Sequence, residues 1–86
     1  MTPTVCRVPL AVEARFSPDG RLTPIRVFCG EGTYEIDRVL AVRRHRPPGI
    51  ACIAPLEYSV VISGIEKCLY YEAESGTWFS VRRAQP

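Results

Sequence analysis

The sequence predicts a small all-β domain, a meander of five or six antiparallel strands curled into a small SH3-like barrel or a strongly bent sheet. Two observations carry this. Apolar side chains fall at every second position in several short runs, the period of a strand that hides one face from water. Glycine- or proline-marked reversals separate those runs at intervals of about 8–12 residues, the spacing that small sandwiches and barrels produce. Size adds a third constraint, because a chain of 86 residues holds one domain and one core. Closure is favoured over an open sheet, whose two bare edges invite pairing with other chains; an open sheet capped by dimerisation is the alternative.

Residues 1–10 are expected to form an irregular N-terminal segment. Val12, Ala14 and Phe16 then alternate with Glu13, Arg15 and Ser17, which places the apolar set on one face of a strand. Ser17-Pro18-Asp19-Gly20 supplies the turn: proline presets φ, aspartate bonds the nearby backbone, and glycine accepts positive φ. The second strand, about Leu22 to Cys29, puts Ile25, Val27 and Cys29 on one face, and Pro24 confines its start to an edge or a bulge. Gly30-Glu31-Gly32 reverses the chain again. Tyr34, Ile36, Leu40 and Val42 share a parity that Arg38 breaks, so a bulge or short twist is expected near Asp37-Arg38. A helix over Ile36 to Arg43 is the weaker alternative, since the segment is rich in β-branched residues and lacks a stop signal.

Arg43 to Gly49 reads as an exposed loop, because successive prolines cannot continue a ladder and its charges are costly to bury. Ile50 to Leu56 reads as a short irregular strand before Tyr58, Val60 and Ile62 resume the alternation. Ser63-Gly64 and Glu74-Ser75-Gly76 are turns that bracket an aromatic-rich strand, Ile65 to Ala73. Thr77 to Val81 closes the meander, and residues 82–86 are expected to be a frayed tail.

Hydrophobic residues make up 47% of the chain and charged residues 23%, the balance of an ordinary globular protein rather than a disordered one. A net charge of +2 implies neither a nucleic acid nor a membrane surface. No apolar stretch of signal-peptide form precedes Arg15, so a cytoplasmic location and no membrane are expected. Cys6, Cys29, Cys52 and Cys68 form no closely spaced pair of metal-knuckle type, and they are expected to be buried, reduced thiols with no metal or other cofactor.

The only histidine, His45, has no nucleophile motif around it, and Glu35/Asp37 and Glu72/Glu74 read as solubilising charges on a wet face. No phosphate-cradling glycine loop opens a helix. An enzyme is therefore not expected. Two patterns remain as candidate binding residues. Arg38, Arg43, Arg44, His45 and Arg46 form a basic stretch with no acid between Arg38 and Glu57, and guanidinium groups can hold phosphates bidentately. Tyr70-Tyr71 and Trp78-Phe79 each send one member to either face of a sheet, so an outer aromatic patch is expected. The aromatic patch favours a non-catalytic protein-interaction or homodimerising module; the arginines favour the alternative, a nucleic-acid-binding accessory protein.

RFSPDGRLTPIRV, GTYEIDRVLAVRR and YSVVISGIEKCLYYEAESGTWF resemble a family of short bacterial all-β proteins of unknown function. The resemblance implies no activity and no catalytic residue. Pro24 with Phe28, Gly32, Tyr34, Ile36, Val39-Leu40 and the late Trp78-Phe79 is similar to the small β region ending some mutagenesis-associated proteins related to error-prone DNA polymerases. That likeness implies a nucleic-acid or partner-binding role.

Overall fold

The structure, a computed structural model, describes residues 5–44 and 55–83, and side chains within 7–44 and 55–81. It is all-β, with β1 (Val5–Phe16), β2 (Leu22–Cys29), β3 (Gly32–Glu35), β4 (Arg38–Arg44), β5 (Leu56–Ile62), β6 (Ile65–Glu72) and β7 (Thr77–Arg83). All lie in one antiparallel sheet of order β3-β2-β1-β7-β6-β5-β4, strongly curled into a half-barrel. The seven strands exceed the five or six expected because the third predicted strand divides into β3 and β4, while the N-terminal segment joins the sheet by lengthening β1. Only residues 5–10 of that supposedly irregular segment are described, and all of them are strand.

The curl comes from strands that change partner along their length. β1 pairs with β7 from Val5 to Leu10 and with β2 from Ala11 to Phe16. Because the β2 ladder starts only at Ala11, the side of β1 away from β7 needs no amide from Pro9, and proline is tolerated there. β3 and β4 repeat the device, the first pairing with β2 and the second with β5. Ile36 and Asp37 join them. The Ile36 amide donates to the Ile25 carbonyl at 2.9 Å and the Asp37 amide to the Val61 carbonyl at 2.8 Å. The chain thus steps from one edge of the sheet to the other within a dipeptide, which fastens the edges together there and bends the sheet between them. The break expected near Asp37-Arg38 is this step, and a second irregularity follows between Val39 and Ala41, where Leu40 is the extra residue.

The turns follow their chemistry. Ser17 and Gly20 close the first hairpin, with the Gly20 amide on the Ser17 carbonyl at 2.9 Å, the Asp19 carboxylate accepting from the Arg21 amide at 3.1 Å, and Gly20 at φ 84°. Ser63-Gly64 is a two-residue turn between the paired Ile62 and Ile65, with both central φ values positive at 53° and 76°. Pro24 falls at the bulge between the β1–β2 pairs, where Ala14 faces Pro24 and Ile25 is skipped.

Period-two alternation decides what is inside. Val27, Tyr58, Val60, Ile62, Leu69 and Trp78 form the buried cluster, with Leu10, Val12, Ala14, Leu22, Ile36, Val39, Leu56 and Tyr71 packed against it. Tyr58, only 2% exposed, reaches across the half-barrel from β5 to donate its hydroxyl to the Leu22 carbonyl of β2 at 2.7 Å. That bond ties opposite walls of the curl, and burial followed by Tyr71 nearby raises the Tyr58 phenol above its ordinary pKa. Two of the four cysteines correct an expectation: Cys29 and Cys68 are free thiols but exposed, while the Cys6 side chain and Cys52 lie outside the described residues. Cys29 ends β2, and Cys68 pairs with Ser59 at a register opposite in parity to the core residues, so neither is carried inward.

Candidate partner-binding groove

The two edges of the sheet are joined by backbone hydrogen bonds at Ile36-Asp37, and a gap opens between them beside that join. On one side runs β4, for which β5 is the strand partner among the described residues. On the other runs the first half of β2, whose β3 ladder begins only at Arg26. β2 offers little pairing capacity across this gap. The Leu22 and Ile25 carbonyls already accept from the Tyr58 hydroxyl and the Ile36 amide, and Pro24 has no N–H. Among the described residues β4 has no partner on this side, and every second residue of such an edge directs its amide and carbonyl away from the sheet.

Inside the gap lies an apolar groove of about 700 Å³. Leu56, Tyr58 and Tyr71 line it from the core, Leu22 and Thr23 from β2, and Val39, Leu40, Ala41 and Val42 from β4. Its rim carries exposed apolar side chains, with Phe16 68%, Leu40 45% and Val42 49% accessible. Phe16 faces Leu22 at the end of the β1–β2 ladder, on the inner face yet beyond the packed core, and Leu40 is displaced by the bulge. Large apolar groups gathered on one opening, rather than scattered singly, mark a contact surface. On the outer face the same gap opens into a smaller cleft of about 300 Å³ lined by Arg15, Thr23, Pro24, Asp37 and Arg38 among others.

The arginine stretch does not form one face. Arg38 and Arg43 share the parity of Val61 and Glu57, whereas Arg44 faces Leu56 on the other. Arg43 and Arg44 belong to β4 and not to the loop expected there, and Arg43 is committed to Glu57, Nε to Oε1, at 3.2 Å. His45 and Arg46 lie outside the described residues.

The aromatic pairs divide by face. Tyr71 and Trp78 point inward, with ring centroids 4.9 Å apart, and Trp78 also meets Tyr58 at 5.2 Å. Tyr70 and Phe79 point outward and stack at 5.3 Å with 13° between planes. Phe79 is nevertheless buried, because the Arg7 guanidinium lies 4.4 Å above its ring while Arg7 Nη1 pairs with Glu72 at 2.8 Å. The Tyr70 phenol is pushed up to about 12, first by burial and then by its hydrogen bond and charge interaction with Glu57. The outer aromatics are therefore held under a lattice of Arg7, Glu72, Glu57 and Arg43, and of the exposed large apolar side chains, which include Phe28, Tyr34, Ile65 and Val81, the ones lining the groove are Phe16, Leu40 and Val42. The sequence signal for these residues is slight: Phe16 follows the inward parity immediately before a turn, where no core remains to cover it.

Among the described residues no three His, Cys, Asp or Glu side chains converge to hold a metal ion, and no helix is long and apolar enough to cross a membrane. Comparison with protein-family models, with curated proteins and with solved structures finds no match.

Proposed function

We propose that this chain is a non-catalytic protein-interaction module that takes an extended segment of a partner protein along the free edge of β4, over the apolar groove. The observation that carries this reading is a strand edge unpaired among the described residues, beside exposed Phe16, Leu40 and Val42. The edge supplies backbone hydrogen bonds and the groove supplies pockets for alternate side chains, the division of labour in strand addition. A second copy of the chain is a poorer occupant. Antiparallel pairing of two β4 edges about a twofold axis sets Arg38 of one copy toward Arg43 and Arg44 of the other, and the Leu40 bulge disrupts the ladder. Nucleic acid is also less well served, because Arg43 is neutralised by Glu57 and the Tyr70–Phe79 stack is covered by Arg7.

The test is an NMR titration of isotope-labelled protein with a blocked peptide of alternating valine and threonine. Shift changes confined to β4 and the groove, abolished by Leu40→Asp and by Phe16→Ser but kept in Val81→Ser, support the reading. No shifts with such peptides, or concentration-dependent self-association through β4 in their absence, would overturn it. So would oligothymidylate binding that maps to β4 and disappears with rising salt, the signature of a phosphate site.

A further inference from the structure

We infer that the segment this groove selects alternates apolar with acidic side chains, and that Arg15 and Arg38 read the acids. The inference rests on the strand-addition reading above and specifies the partner's chemistry. A strand laid along β4 sends successive side chains to opposite faces. One set enters the apolar groove. The other emerges over the outer cleft, where Arg15 from β1 and Arg38 from β4 meet across the gap.

The state of the outer-face arginines bears this out, with Arg21 at the first turn likewise exposed and without an ion pair among the described residues but lining the groove rather than the outer cleft. Away from the gap, arginines on the outer face have acidic partners: Arg7 holds Glu72 at 2.8 Å, Arg26 holds Glu13 at 2.8 Å and Glu35 at 3.2 Å, and Arg43 holds Glu57 at 3.2 Å. Arg15 and Arg38, by contrast, carry no ion pair among the described residues, and both are exposed. Asp37 also lines the cleft, but its carboxylate accepts from the Gly64 amide at 3.5 Å, toward the β5–β6 turn. The cleft therefore keeps a net positive charge where an incoming strand would place its outward side chains. The same charge opposes a lysine-bearing strand and a second β4, so attraction and exclusion act together.

The experiment compares blocked Val-Glu, Val-Thr and Val-Lys alternating peptides by fluorescence polarisation, at low and at high salt. Two surface ion pairs predict Val-Glu binding about three- to tenfold tighter than Val-Thr at low salt, with the margin shrinking as salt rises. Val-Lys should bind weakest. The double variant Arg15→Gln with Arg38→Gln should bring Val-Glu down to the Val-Thr level without weakening Val-Thr, and Arg15→Glu with Arg38→Glu should reverse the order. Equal binding of Val-Glu and Val-Thr at low salt would overturn the acidic preference and leave the module reading standing. Failure of all three peptides on correctly folded protein would overturn both.

Discussion

Single side chains set the pH and mutational responses of this domain, Tyr58 first among them. Its hydroxyl is the donor that satisfies the Leu22 carbonyl across the half-barrel, so Tyr58→Phe keeps the ring packing and strands a part-buried acceptor. The expected cost is about 1–3 kcal/mol, read as a fall in Tm of roughly 5–20 °C, since such a domain loses about 4–8 °C per kcal/mol. An unchanged Tm would mean that the bond is not holding the walls together. Tyr70 governs the alkaline limb. Its folded-state phenol, at about 12 against an ordinary 10.0, binds its proton more tightly than in the unfolded chain. The associated stability is complete below about pH 10 and is lost as pH rises toward about 12, because there the unfolded state binds fewer protons. Thermal melts across that window should fall with pH in the parent and fall less steeply in Tyr70→Phe, with the raised Tyr58 supplying part of the remaining slope. A parallel slope in the variant would assign the effect elsewhere.

At the level of elements, the hairpins were legible because their turn residues state a backbone requirement. Ser17-Pro18-Asp19-Gly20 and Ser63-Gly64 fall where the sequence reading puts them, and β2 has the predicted ends. The division of β3 from β4 was legible only as a disturbance around Arg38, since the step between edges depends on β2 and β5, residues distant in sequence. The apolar groove was hidden for the same reason. Phe16 and Leu40 look like core residues by parity, and only the end of one ladder and a bulge in another leave them in water. The Ser63-Gly64 turn also carries a prediction. Ser63 holds a left-handed φ of 53° without glycine's freedom, in a turn type that favours asparagine at this position. Ser63→Asn should raise stability by about 0.5–1 kcal/mol in denaturant unfolding, with an unchanged m-value. A loss of stability would show that the serine side chain contributes something the turn geometry does not reveal.

Across the whole molecule, the fold depends on one long strand joining its two halves. β2 and β3 form a ladder on one side of β1 and the β4–β7 meander lies on the other, so β1 is the one route by which ladder pairing passes between them in the observed strand order. The route is split along its length: residues 11–16 hold β2, while residues 5–10 hold β7. Loss of the first few residues should therefore loosen the halves, leaving the Ile36-Asp37 step and the Tyr58 bond to hold them, rather than trim an end. Deleting residues 1–8 removes the pairs from Val5↔Arg83 to Val8↔Ser80 and keeps Pro9↔Phe79 and Leu10↔Trp78. It also takes away Arg7, which covers Phe79 and pairs with Glu72. Exposure of the Phe79 ring and loss of the inward Val8 should cost on the order of 2–4 kcal/mol, a large share of the stability a domain this small can hold. An irregular leader would behave differently, leaving Tm within about 2 °C of the parent on removal. Calorimetry of the truncated chain decides between them: a drop of roughly 10–25 °C, or loss of the cooperative transition, is the outcome expected if β1 joins the halves, because each kcal/mol moves so short a chain by several degrees.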